Sequence, residues 1–122
     1  MTNHRITLRI LLQILGFAGI LAGLYASHLY NYLLFHSLAE FASAVVAVSL
    51  FLVAWNSRLF QRDSYLVFLG TSFLTIGAVT LLHTLAYKGM GVFPGYGANL
   101  ATQLWIIGRY LQFITFLTLP FL

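Results

Sequence analysis

Five ionisable residues of this chain could do chemistry, because such side chains are scarce elsewhere in its apolar segments. His36 and Glu40 open one apolar run, His83 and Lys88 close another, and Arg109 lies inside the last. Ionisable groups within a membrane are costly, and they usually line a ligand site, a pathway or a helix contact. We therefore predict that His36, Glu40, His83, Lys88 and Arg109 form a ligand-binding cluster.

The two histidines could also hold a cofactor. His36 and His83 each lie 19 residues from the far end of their predicted helices, so antiparallel helices would hold both imidazoles at one depth. Such a pair could ligate a haem iron, with Arg109 and Lys88 near its propionates, or share a metal ion with Glu40. The cofactor stays unassigned, with haem or a metal at His36 and His83 open beside polar packing and ligand hydrogen bonding.

Helical periodicity places the polar residues of each run on one face. The expected stripes are His36, Glu40, Ser43 and Ala47; Ser72, Ile76, Thr80, His83 and Tyr87; and Trp105, Arg109 and Gln112. Because an unpaired charge in hydrocarbon is unfavourable, we predict an ion pair between Glu40 and Arg109. That pair would be either structural only or part of the wall of an outward-facing cavity.

The composition shows which solvent surrounds these residues. The chain has 122 residues, is 61% hydrophobic and only 7% charged, and has a mean hydropathy of +0.92. Soluble domains average about a quarter charged residues, so too few polar groups are present for a water-facing surface. This composition predicts an integral membrane protein in contact with the lipid bilayer.

Several function classes are excluded by the residue types. The net charge of +4 comes from basic residues at the ends of apolar runs, which is typical of membrane topology and not of a nucleic-acid reader. Cysteine is absent. No nucleophile triad, paired carboxylates or phosphate loop occurs, so the segment is predicted not to be an enzyme by itself.

The hydropathy pattern predicts an all-α membrane protein, an antiparallel bundle of four transmembrane helices. Their expected ranges are about 10–29, 32–55, 64–87 and 100–122, with a short connection at 28–31 and a breaker-rich loop at 88–97. Asp63 or Ser64 is the expected N-cap of the third helix, and Asn99 that of the fourth. Gly19, Gly23 and Ser27 form a small-residue stripe, which either receives another helix or reflects ordinary membrane glycine usage.

Charge placement predicts the orientation. Arg5 and Arg9 precede the first helix, and Arg58 and Arg62 follow the second. The positive-inside rule therefore predicts that residues 1–9 form a cytoplasmic N-terminal segment and that the 56–63 loop also lies in the cytoplasm. Residues 10–122 form the transmembrane domain in this prediction.

Several strings carry a resemblance to a known family. They are Tyr30 to Glu40, Ala54 to Arg58, Leu82 to Pro94, and Ala98 to Trp105, together with Arg109. With these strings the chain, from roughly Arg9 onward, resembles the third class of bacterial membrane-associated sensor domain, found at the N-terminus of sensor histidine kinases and diguanylate cyclases. The family domain has more membrane helices, so the resemblance implies the first half of such a domain.

The resemblance implies a sensory input module of the bacterial inner membrane that relays a signal to a cytoplasmic output domain. The expected partners are that output domain or the missing helices of a parent protein, with a homodimer left open. The alternatives are a haem-binding membrane electron carrier, which predicts a visible absorption spectrum, and a structural helix-bundle subunit, which predicts stability effects alone.

Overall fold

Four long helices make up the part of the chain that the structure describes. The computed structural model describes residues 2–60 and 64–122, with side chains from residue 5 onward. The helices are α1 (Thr2–Tyr30), α2 (Tyr32–Ser57), α3 (Tyr65–Ala86) and α4 (Asn99–Thr118), followed by a 3₁₀ turn at Leu119–Phe121. Each helix is long and apolar enough to cross a membrane, so the predicted all-α class and the four spans are confirmed.

The chain divides into two compact units, residues 1–38 and 39–122, with the division falling inside α2. In the first unit, a single residue, Asn31, separates α1 from α2. The Asn31 side-chain oxygen accepts hydrogen bonds from the backbone N–H of Leu33 at 2.8 Å and of Leu34 at 3.4 Å. This N-cap satisfies two donors that begin α2 without helical partners. The predicted connection at 28–31 therefore shrinks to one residue.

In the second unit, α2 and α3 are antiparallel and unusually close. A Cβ atom added at Gly70 would lie 2.5 Å from the Ala54 Cβ, and one added at Gly77 would lie 2.8 Å from the Ala47 Cβ. Only glycine allows two backbones to approach this closely. A Cβ added at Gly19 or Gly23 of α1 meets nothing within 4 Å among the described residues, so both interpretations of the α1 stripe stay open.

The other neighbour of α3 is α4, which also runs antiparallel to it. The Phe73 ring meets the Phe116 ring edge-on at 6.2 Å, and near the opposite ends of these helices His83 bonds to Ala101. The loop between them turns at glycines with positive φ, including Gly89 at 106° and Gly95 at 93°, a region that L side chains rarely adopt. The buried residues of α3 are Gly70, Ile76, Gly77, His83, Thr84 and Ala86.

Helix ends differ from prediction in small ways. Helix α1 starts eight residues before the predicted residue 10, and α4 ends at Thr118. Ser64 is the N-cap of α3 by position but makes no side-chain cap bond, and Asp63 lies outside the described residues. The predicted Asn99 cap is wrong, because Asn99 is the first residue of α4 and its side chain accepts a bond from Gln103 at 3.5 Å instead.

Candidate functional site

His83 is the centre of the polar cluster in the second unit. It lies in the last turn of α3 with 7% of its surface exposed. Its Nδ1 is 2.8 Å from the backbone carbonyl oxygen of Ala101 in the first turn of α4. Because a carbonyl can only accept, Nδ1 carries the proton, and the lone pair of the neutral ring is on Nε2. The bond joins α3 to α4 and fixes the tautomer and orientation of the ring.

A cavity of about 260 Å³ adjoins one side of His83. It lies between the end of α3 and the start of α4, and we call it the loop-side cavity. Its lining residues are His83, Tyr87, Lys88, Ala98, Ala101, Thr102 and Trp105. An ammonium group, a phenol, a hydroxyl and an indole therefore surround a mainly apolar space, which is the usual make-up of a small-molecule site.

A second and much smaller cavity, the inner cavity, also adjoins His83. Its volume is about 10 Å³, and its lining residues are Glu40, Val79, Thr80, His83, Leu104, Trp105, Gly108 and Arg109. A carboxylate oxygen of Glu40 and a ring nitrogen of His83 lie within 4.8 Å of each other. A space of this size holds about one water molecule or one ion. His83 and Trp105 line both cavities.

Arg109 lines the inner cavity, but its guanidinium is engaged on its own helix. Nη1 donates to the Gln112 side-chain oxygen at 2.9 Å, and the guanidinium carbon lies 5.7 Å from the centre of the Trp105 ring. These contacts confirm that the three residues share one face of α4. The predicted ion pair with Glu40 is not formed among the residues that the structure describes.

His36 belongs to the first unit, where its half-buried ring stacks on Tyr32 at 6.2 Å. It precedes Glu40 by one helical turn of α2. Its pairing with His83 in a haem or metal site stays a prediction. The structure thus brings four of the five predicted residues to two adjoining cavities, namely Glu40, His83, Lys88 and Arg109.

Tyr87, Thr102 and Trp105 are lining residues that the predicted site leaves out. Tyr87 follows His83 by one turn, and their rings meet edge-on at 6.3 Å. Trp105 precedes Arg109 by one turn. The i, i+4 spacing from a predicted site residue was therefore the sequence signal for both. No comparable signal existed for Thr102, whose hydroxyl bonds the Ala98 carbonyl at 2.9 Å.

Fold and site together define a multi-pass membrane protein that carries a polar, partly enclosed cavity pair at the α3–α4 contact. Residues 27–122 match the family model of the membrane-associated sensor domain MASE3. The chain therefore belongs to this family, and it is a sensory input domain of the membrane. The search of curated proteins and the search of solved structures each gave no match.

Proposed function

We propose that this sensor domain detects a small molecule bound in the loop-side cavity. The supporting observation is the position of His83, which lines that cavity and also bonds α3 to α4. An occupant that contacts His83 would act directly on the contact between these helices. It shifts the packing only if it binds one arrangement better than the other.

The lining residues favour a small planar molecule with an oxygen acceptor, such as a quinone head group. The Lys88 ammonium offers a charged donor for that oxygen, and the Trp105 and Tyr87 rings offer apolar faces for the planar body. The volume of about 260 Å³ is just below the ~300–1,000 Å³ typical of sites for drug-sized ligands. A compact head group therefore fits better than a large ligand.

The proposed setting is the inner membrane of a bacterium, with residues 1–9 and the 56–63 connection in the cytoplasm. In this orientation the loop-side cavity opens towards the outer face, and residues 10–122 form the transmembrane sensor. The signal would pass to a cytoplasmic output domain of the histidine kinase or diguanylate cyclase type. Further membrane helices of a parent protein, or a second copy, are the other proposed partners.

Tryptophan fluorescence tests the ligand site. Trp55→Phe leaves Trp105 as the one remaining tryptophan, and this variant in lipid nanodiscs is titrated with menadione, a quinone head group without a prenyl tail. We expect saturable quenching, and Lys88→Ala should weaken binding about tenfold because a bond to a charged donor is worth ~1.5–3 kcal/mol. Arg58→Ala is the matched cation control and should leave the curve unchanged.

Two results would contradict the proposed ligand site. One is quenching that rises linearly without saturation. The other is equal quenching of Trp55 in a Trp105→Phe chain, since Trp55 lies at the other end of the second unit and would report only partition into the bilayer.

One observation favours the haem alternative, namely the Nδ1–H tautomer that the bond to Ala101 fixes in His83. Histidines that bind haem or a metal commonly donate their second ring N–H to a carbonyl. His36 and His83 would be the axial ligands, and Lys88 and Arg109 the propionate partners. Oxidised and reduced visible spectra of the purified protein decide this alternative. A Soret band that disappears in both His36→Gln and His83→Gln would contradict the quinone proposal. It would indicate a haem that senses a redox change or a gas.

A further inference from the structure

We propose that the inner cavity is a binding site for a divalent transition-metal ion, of which Zn²⁺ is the model, with Glu40 and His83 as ligands. This proposal does not rest on a ligand in the loop-side cavity. The two sites share His83, but each also has its own polar residue, Glu40 for the metal and Lys88 for the small molecule.

The donor atoms are of the right type and spacing. Carboxylate oxygen and imidazole nitrogen are both common Zn²⁺ ligands, with bonds of about 2.0–2.2 Å. Two such ligands on one ion can therefore be at most about 4.3 Å apart. A Glu40 oxygen and one ring nitrogen of His83 lie within 4.8 Å of each other, so a change of side-chain rotamer is enough to bring the carboxylate and the imidazole onto one ion.

The surroundings of His83 orient it as a metal ligand. Its Nδ1–H donates to the Ala101 carbonyl at 2.8 Å, which assigns coordination to Nε2. Metal-binding histidines almost always donate their other ring N–H to a carbonyl, a carboxylate or a water, which fixes the tautomer and makes the ligating nitrogen more basic. This arrangement is present in the protein before any ion binds.

The size of the cavity selects the occupant. About 10 Å³ admits one ion or one water molecule and no organic molecule. Arg109 also lines this space, and its charge would oppose a cation. However, its guanidinium is held by Gln112 and lies over the Trp105 ring, while the Glu40 carboxylate supplies the compensating negative charge.

Water would complete the coordination of the ion. Zn²⁺ is usually four-coordinate, so water molecules would occupy the positions that Glu40 and His83 leave open.

Metal analysis of the whole chain tests the site. The protein in detergent is stripped with a chelator, titrated with Zn²⁺ alone against a competing chromophoric chelator, and measured by mass spectrometry of the bound metal. We expect one ion per chain. Glu40→Gln and His83→Gln should each weaken binding at least about tenfold, since even outer-shell substitutions cost roughly 10–100-fold. His28→Gln is the matched control, because His28 is an exposed histidine outside both cavities.

The outcomes separate the two proposals. Zn²⁺ affinity unchanged in Glu40→Gln, or lost equally in His28→Gln, would overturn the metal site. Menadione quenching of the metal-free protein tests the loop-side cavity alone, and Lys88→Ala should change that quenching without changing Zn²⁺ affinity. If His83→Gln does not fold, the Zn²⁺ affinity of Glu40→Gln decides whether the metal site exists.

Discussion

The α2–α3 contact makes a quantitative prediction about stability. A Cβ added at Gly77 would lie 2.8 Å from the Ala47 Cβ, and the next nearest atom, the Ala44 carbonyl oxygen, is 3.8 Å away. Ordinary contact begins at 3.4 Å, so Gly77→Ala forces the two backbones apart by roughly 0.6 Å at a single point of contact. We expect this variant to be less stable than the natural chain.

The size of the effect follows from two opposing terms. Overpacking a tight contact costs about 1–3 kcal/mol, and replacing a helical glycine by alanine contributes about 0.5–1 kcal/mol in the other direction. The net loss for Gly77→Ala is therefore about 1 kcal/mol, within a range of about 0–2.5 kcal/mol. Ala47→Gly removes the opposing methyl group, so the double variant Ala47→Gly/Gly77→Ala should recover most of the overpacking term.

Thermal unfolding in mild detergent measures all four proteins of this cycle, with Gly108→Ala as the control. A Cβ at Gly108 would meet the Val79 side chain at 3.6 Å, an ordinary contact, so that variant should unfold at or above the natural midpoint. Contacting residues couple by about 0.5–3 kcal/mol. Additive effects of Ala47→Gly and Gly77→Ala, within about 0.5 kcal/mol, would refute the reasoning.

Three further predictions concern the cap of α2, the membrane orientation and the side-chain partner of Arg109. Asn31→Ala should lower the free energy of unfolding by about 1 kcal/mol through loss of the α2 cap, and Asn31→Asp should not, as thermal melts followed by circular dichroism will show. A cysteine placed at Gly95 should react with an impermeant maleimide in intact cells and one at Ser57 only after lysis, and the reverse pattern would contradict the proposed topology. Gln112→Leu removes the partner of Arg109 and should destabilise the detergent-solubilised protein by about 1 kcal/mol, whereas Gln112→Glu should not, which the same melts measure.

The helices were predictable from the sequence because membrane-spanning segments are set by length and hydropathy alone. The exact residues at which the helices begin and end were less predictable. The polar residues before residue 10 continue α1 because nothing in them breaks a helix. Asn99 has the residue type of a cap, but it lies one position after the N-cap of α4, which is Ala98. Asn31, which was not predicted as a cap, caps α2. Whether an asparagine caps a helix depends on where the backbone turns.

The candidate site was predictable in membership but not in its bonds. Four of the five residues singled out from the sequence line the two cavities, namely Glu40, His83, Lys88 and Arg109, and their role in ligand binding stays a prediction. The ion pair fails because Gln112, one turn away on the same helix, offers Arg109 an acceptor that needs no contact between helices. Local partners of this kind compete with long-range ones, and a pattern of residue types does not rank them.

The small-residue packing carried a signal that pattern reading could have used. Ala47 and Ala54 are seven residues apart on α2, and Gly70 and Gly77 are seven apart on α3. Two stripes of the same spacing can align along an antiparallel pair, whereas a stripe without a matching one gains nothing from its small residues. The small-residue stripe on α1 was identified from one helix alone, so it did not point to the α2–α3 contact.

The two contacts of α3 differ in how easily they can move, and this difference indicates where a signal would travel. Between α2 and α3 the backbones themselves meet at Gly70 and Gly77, so any sliding drives backbone against methyl group. Between α3 and α4 the described contacts include the Phe73–Phe116 ring pair, the Val79 side chain beside Gly108 and the hydrogen bond from His83 to Ala101. Packed contacts shift between discrete arrangements, and a contact made through side chains can change by rotamer moves that are not open to a contact between backbones. We infer that α2 and α3 move as one body, and that an occupant of either cavity changes the position of α4 against them.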